Sequence, residues 1–548
     1  MTTSKSAFEN LTREDLQTII GEKHLDSIRE LIPYIDKELI RHPNDIYEKD
    51  VLIKILVSFF GQDAFYKKEF RKKILSRLSE KDIRVLATLL GISHSNTSFL
   101  DLAESISNFS WGDNESTKTI VRFLKLPDNY IPIPPSEEPN KETVLRSEVP
   151  LRTLKDYQFD ICQKANDKLK HPFQRFLIQM PTGSGKTRTA IEVICDYLNK
   201  HPNKSVIWLV HSEELCEQAV ECFNDIWSHL GFFEMDVIRL WGKHPPILPQ
   251  KASFIVAGFP KLHSVSQKDP TFLNELSKIA GMVIVDEAHT SIAPTHNQII
   301  KSLIRTGAPL IGLTATPGRS SSIDDSESQE LADLYFGDKL SIDSGEETVF
   351  TYLKQKGILA HVLREPIQMD KIYRLSNDEL TYLKKNLNFS PKFLELLSLD
   401  AARNIEIINT LRKEHSDGHK ILFFGCDVAH SKRICAALNY LGIAAEHLDS
   451  TTRRDRRKHI LNEFRGHKLR IICNFGILTT GFDDPKTDVI MVARPTLSVV
   501  LYSQMIGRGL RGPAMGGTEH CKIIDIIDNI ENYEGVDLLY NYFDNYWK

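Results

Sequence analysis

Between residues 150 and 320, short apolar runs recur, each about the length of a strand and each closed by polar or turn-forming residues. They read "RFLIQM", "SVIWLV", "SFIVAG", "GMVIVDE" and "PLIGLTAT", with helical spacing between them. A run with no polar alternation has to be buried on both faces. Strands alternating with helices achieve this in a parallel sheet with helices packed on both sides. The rhythm resumes after residue 400 with "KILFFG", "AAEHLD", "LRIICNF", "DVIMVA" and "CKIIDI". The predicted fold class is therefore α/β, with two parallel-sheet domains in tandem.

Residues 1–126 have a different texture. Apolar residues fall three and four apart in "LDSIRELIPYIDKEL" and "EKDIRVLATLLGI", which predicts an all-helical N-terminal domain. Prolines at 127, 132, 134, 135, 139 and 150 then oppose helix, so 127–149 is expected to be a linker and the helical part an independent unit. The first parallel-sheet domain is expected at 150–345, a connecting helical segment at 346–400, and the second domain with a short tail at 401–548. Such a division suits 548 residues, more than one core normally serves. Eight cysteines without metal-ligand spacing read as reduced thiols, and no apolar run is long enough to span a membrane. Together with the absence of a cleavable leader, this predicts a cytoplasmic protein. A net charge of -4 argues against a basic coating protein but leaves room for local grip on nucleic acid.

The first strand of that series runs into "MPTGSGKT". A phosphate-binding loop normally begins with glycine, and here Met180 stands in its place. The missing glycine removes no hydrogen-bond donor, and a side chain is tolerable at a strand end if it points into the sheet. Pro181, Thr182, Gly183, Ser184 and Gly185 form the turn, whose glycines let successive N–H groups face phosphate oxygens. Lys186 brings positive charge to the β- and γ-phosphates, and the Thr187 hydroxyl can ligate Mg²⁺. The expected cofactors are ATP and Mg²⁺. Four apolar residues in "MVIVDEAHT" bury a strand that delivers Asp286 and Glu287 at its end. Asp286 would hold Mg²⁺ through a water, and Glu287 would orient or deprotonate the attacking water.

"DEAH", with "PTGSGKT" before it and "LTATP" after it, resembles the DEAD/DEAH-box helicases of superfamily 2. The other motifs follow in the family's order across roughly residues 150–530: "LRTLKDYQFDI", "LVHSEELCEQA", "VAGFPKL", "ILFFGCDVAHS", "NFGILTTGFDDP" and "YSQMIGRGLRG". "ILTTGFDDP" and "LYSQMIGRGLR" most resemble RadD-like repair helicases and the motor subunits of type I and type III restriction enzymes. The resemblance implies two RecA-like domains and an ATP hydrolase. It implies Gln158 at the adenine, and Gly481, Asp483 and Gln504 linking γ-phosphate, ribose and nucleic acid. It also implies Arg508 and Arg511 as the cations that neutralise a transferring phosphoryl group, a task suited to a fork that never deprotonates.

The function so implied is an ATP-dependent DNA helicase or translocase in DNA repair or in defence against phage and other foreign DNA. The alternative is an ATP-gated nucleic-acid-binding switch, a subunit of a larger complex, that separates no strands. DNA is favoured over RNA as the partner. By motif position, His211, Ser212, Lys261, Ser431 and Thr479 would contact the nucleic-acid backbone. The basic run "TTRRDRRKHI" at 451–460 is either a phosphate contact or a solvated helix face. The helical N-terminal domain could dock a protein partner.

Overall fold

The computed structural model describes residues 8–35, 42–93, 96–134, 139–146, 151, 153–315, 325–386, 388–478, 482, 484–496 and 498–531. The chain separates into two compact units. One comprises Met1–Glu137, Ser390–Ile477 and Met491–Arg494; the other comprises Glu138–Phe389, Leu478–Ile490 and Pro495–Lys548.

The second of these units holds an eight-stranded sheet. Its strands are β1 (Lys141–Val144), β2 (Arg175–Gln179), β3 (Ser205–Val210), β4 (Met235–Leu240), β5 (Ser253–Gly258), β6 (Ala280–Asp286), β7 (Leu310–Thr314) and β8 (Lys339–Ser341). They lie in the order β1-β4-β5-β3-β6-β7-β2-β8, and every pairing except β1–β4 is parallel. β3, β5 and β6 are buried at every position, as their unbroken apolar sequences require. Leu209, Ile255, Val283 and Val285 pack with Phe259, Leu276 and Ile300 from the covering helices. β2, β6 and β7 are neighbours, so the segments leaving their carboxyl ends converge on one rim of the sheet. That is where a sheet of this kind binds ligands.

β1 lies inside the proline-dense stretch expected to be a linker. It forms the edge of the sheet, pairing antiparallel with β4, fastened by Thr143 and Lys141 to the buried Asp236 at 2.9 and 2.7 Å. Where 346–400 was expected to be helical, Val349–Gln355, Asn377–Asn386 and Pro391–Leu399 are helices, but β9 (His361–Arg374) is a long strand.

In the first unit, β10 (Ile421–Phe424), β11 (Ala445–Leu448) and β12 (Ile471–Asn474) form a parallel set in the order β11-β12-β10. The helical residues form part of this same unit and do not stand apart. The helix Lys49–Phe60 packs against Val428–Tyr440, because its apolar residues cover more than one face and Ile53, Ile55 and Leu56 all need burial. Within the helical part, Phe65 stacks on Trp111 at 5.2 Å, and Arg71 ties the chain by donating to the carbonyls of Phe65, Ser107 and Phe109. In the second unit again, β13 (His520–Glu531) runs parallel to β9. The architecture is α/β: two RecA-like parallel-sheet domains preceded by a helical N-terminal region. No described helix is long and apolar enough to cross a membrane.

Candidate active site

The loop after β2 is shaped by three local constraints. Met180 is wholly buried, and its N–H donates to the Thr314 carbonyl at 3.0 Å, tying the ends of β2 and β7 together. The side chain in the glycine position is thus accommodated in the interior. Gly183 and Gly185 have φ of +88° and +86°, left-handed values that turn the chain back over the rim. The Ser184 carbonyl then accepts two hydrogen bonds, from the Tyr157 hydroxyl at 2.7 Å and from Gln158 Nε2 at 3.1 Å. Gln158 Oε1 in turn accepts from the Lys155 N–H at 2.9 Å, so both ends of this buried amide are engaged with the protein. A Cβ on Gly185 would stand 2.3 Å from Gln158 Nε2. Only glycine fits there.

The helix Lys186–Lys200 begins at Gly185, with Thr187 in its first turn. Among the described residues, no acceptor lies within hydrogen-bond reach of the amides of Gly183, Gly185, Lys186 and Thr187. Open N–H groups at a helix start form an anion cradle.

β6 ends at Asp286, whose Oδ1 accepts from the Glu287 N–H at 2.9 Å while Glu287 turns to a φ of +52°. Lys186 Nζ lies 3.5 Å from Glu287 Oε1 and 3.8 Å from Asp286 Oδ1, and His289 Nδ1 lies 3.4 Å from Glu287 Oε2. Burial pushes the Asp286 carboxyl up to about 6 against the pull of Lys186. Burial also opposes ionisation of Glu287, but Lys186, His289, His211 and Arg508 outweigh it and hold its carboxyl below the ordinary range. The two acids are therefore set apart chemically, although they are neighbours in sequence.

The same residues fit a nucleotide with its divalent cation. The Thr187 hydroxyl and Asp286 are hard oxygen donors, and a cation beside Asp286 would relieve the burial that now raises its carboxyl. Among the described residues, no group of three or more His, Cys, Asp or Glu is placed to hold a metal alone.

The segment 499–517 of this unit closes on the loop. A Cβ on Gly507 would stand 2.5 Å from Thr182 Cγ2, so the glycine lets the turn approach that closely. Arg508 donates from Nη1 to the Phe482 carbonyl at 2.6 Å and from Nε to the Gln504 carbonyl at 3.1 Å, and its charge acts on both Asp286 and Glu287. Arg511 pairs with Leu359 in an antiparallel bridge, its Cγ 3.7 Å from where a Gly183 Cβ would be. Lys186, Thr187, Asp286, Glu287, Arg508 and Arg511 are thus brought together. Gly481 and Asp483 lie outside the described residues, as does Thr479.

The residues expected on the nucleic-acid track divide differently. Ser212 caps the helix Glu213–Leu230, and Lys261 donates to the Gly242 carbonyl at 3.2 Å. His211 is half-buried and interacts electrostatically with Glu287, and burial lowers its pKa despite that carboxylate. Ser431 is buried, its hydroxyl 2.8 Å from His447 Nδ1, whose Nε2 reaches Asp449 at 3.1 Å. Sequence reasoning missed Tyr157, although it directly precedes Gln158.

Residues 152–319 match the family described as "Type III restriction enzyme, res subunit", and residues 402–512 match "Helicase conserved C-terminal domain". The chain is 26% identical over 399 residues to the protein named as ATP-dependent helicase IRC3 of Saccharomyces cerevisiae, covering 68% of this chain and 51% of that one. It is 25% identical over 382 residues to a 51.5 kDa protein of a Lactococcus phage, covering 68% and 70%. To the type I restriction enzyme EcoKI endonuclease subunit of Escherichia coli it is 24% identical over 430 residues, covering 70% and 35%. The chain thus spans about half the length of the yeast relative and about a third of the restriction subunit.

Proposed function

We propose, because this chain belongs to the superfamily 2 helicases, that it is an ATP-hydrolysing motor that moves along or unwinds DNA. The observation that carries this reading is the arrangement at the sheet rim. One lysine lies within 4 Å of two buried carboxylates, and the charge of Arg508 acts on the same pair.

In this reading the open amides of Gly183, Gly185, Lys186 and Thr187 receive the phosphates, and Lys186 exchanges its carboxylate partners for them. Thr187 and Asp286 would hold a bound Mg²⁺, which would supply neutralisation of the phosphate charge. Glu287, ionised and relieved of its contact with Lys186, takes the proton of the attacking water. Arg508 and Arg511 stabilise charge on the transferring group. Tyr157 and Gln158 hold the Ser184 carbonyl so that the cradle keeps its shape.

A helicase motor is supported by the relative named as an ATP-dependent helicase, and DNA as the track, with a role in handling foreign DNA, by the relative named as a type I restriction enzyme subunit; a role in repair is the other reading. The test is ATP hydrolysis with single-stranded, duplex and forked DNA and with RNA, with strand displacement followed in the same reactions. Stimulation by DNA with displacement of the forked strand supports a helicase. Stimulation without displacement supports translocation alone. Turnover indifferent to every nucleic acid contradicts the proposal.

A further inference from the structure

We infer that the helical N-terminal residues clamp the basic run 451–460, so that this chain's own helical region and the backbone of DNA compete for Arg453 and Arg456. The inference rests on the reading above that the chain binds DNA. The observations behind it belong to one compact unit, which contains both segments.

Two arginines of the run are drawn inward, Arg456 and Arg457, while Arg453, its side chain 47% exposed, lies against the helical residues. The Arg453 guanidinium lies over the Tyr66 ring at 4.1 Å, and its Nε donates to Asp455 at 3.2 Å. Arg456 donates to Glu446 at 2.7 Å, and its side chain is 16% exposed. Gln62, with its amide turned to satisfy both neighbours, accepts from the Arg456 fork at 2.5 and 2.8 Å while donating to the Asn129 carbonyl. Arg457 is turned inward to the carbonyls of Asp449 and Thr452. A second cation stands on an aromatic ring at the same junction, Lys54 over Tyr440 at 3.9 Å. Asp63 faces both arginines from the helical side, and burial raises its carboxyl against their pull.

These contacts are of a kind that can be exchanged. A cation–π contact that water can reach is weak, and an ion pair at a partly open junction is no stronger. The junction is not sealed, because a cleft of about 790 Å³ runs through it, with Val57, Phe60 and Tyr66 on one wall and Lys432, His447 and Arg453 on the other. A guanidinium held over Tyr66 and on Asp455, or forked onto Glu446 and Gln62, already has partners where a phosphate would bind. Its release would add phosphate contacts without any change in the ATP site.

The test uses the full chain and fluorescein-labelled single-stranded and duplex DNA, with affinity measured across a salt series. Hydrogen exchange of the helices Lys49–Phe60 and Val428–Tyr440 reports the clamp independently. In Gln62→Ala/Tyr66→Ala, exchange at the junction should rise while ATP turnover without DNA stays unchanged. Affinity for duplex should tighten about tenfold, and the log–log salt slope should steepen by about 2, at roughly 0.9 per phosphate contacted. Adding Arg453→Ala/Arg456→Ala to that variant should cancel the gain. The inference is overturned if the released variant binds no more tightly, or if junction exchange does not rise. It is also overturned if Arg453→Ala/Arg456→Ala in the otherwise native chain lowers DNA affinity several-fold. A wild type that binds while the released variant gains nothing sinks the clamp alone; no binding by any variant sinks the DNA reading with it.

Discussion

Gly185→Ala, alone and combined with Gln158→Ala, separates two reasons why the loop needs glycine. The new Cβ meets a left-handed φ of +86°, which costs a non-glycine residue about 1–2 kcal/mol. It also lands 2.3 Å from Gln158 Nε2, so the amide must leave and give up its bonds to the Ser184 carbonyl and the Lys155 N–H. Two neutral hydrogen bonds are together worth about 2 kcal/mol net. If the loop relaxes away from the cradle geometry, restoring it on binding costs about 3–4 kcal/mol, which weakens nucleotide affinity by roughly 10²- to 10³-fold. With Gln158 already alanine the clash disappears and only the backbone term remains, about 1–2 kcal/mol, or roughly 5- to 30-fold relative to Gln158→Ala. Equilibrium titration of a fluorescent ATP analogue against the four proteins reads both numbers. Equal losses from Gly185→Ala in the two backgrounds would refute the reasoning, because the amide would then not be what excludes the side chain.

Lys186→Ala should abolish ATP hydrolysis while leaving nucleic-acid binding, and turnover at the wild-type rate would remove the loop from the account. Arg508→Ala should bind nucleotide within a few-fold of wild type but turn over at least about 10³-fold more slowly, with poor rescue by lysine. If DNA still stimulates it, Arg511 becomes the catalytic arginine. Asp15 offers a pH test in the helical region. Burial works against its charge, but Arg77, Lys73 and Thr12 outweigh it and hold its carboxyl well below the usual range. A depressed folded-state pKa gives stability that is present above the unfolded value of about 3.9 and lost as pH falls through the folded one. Asp15→Asn should therefore lower the melting temperature at neutral pH and flatten its decline below about pH 4; an unchanged acid profile would mean that the ion pairs contribute nothing.

The phosphate loop was legible because its chemistry is carried by the backbone. Positive φ demands glycine, phosphate demands a cation, and the two stand side by side in "GSGKT". The core strands were legible for a similar local reason, since unbroken apolar runs such as "SVIWLV" leave no face for water. What stayed hidden depends on partners distant in sequence. β1 is a strand only because β4 offers an edge and Asp236 is there to take Lys141 and Thr143. β9 lies in a charged, proline-containing stretch and is drawn into extended form by pairing along β13. His211 occupies a position that the resemblance assigned to the track, and its electrostatic interaction with Glu287 depends on a residue 76 positions away in the chain. The basic run left two uses open, and its contacts with Gln62 and Tyr66, residues far away in the chain, could not be read from the run itself.

The central claim is that the carboxylate pair at the end of β6 hydrolyses ATP under the control of nucleic acid. Steady-state hydrolysis by the wild type and by Glu287→Gln, each with and without single-stranded DNA, tests it most directly. The account predicts DNA-stimulated turnover in the wild type. In Glu287→Gln it predicts nucleotide binding without measurable turnover, and DNA held longer because the site cannot complete its cycle. Hydrolysis that persists at the wild-type rate in Glu287→Gln, or a wild type that hydrolyses no ATP with DNA present, would contradict it.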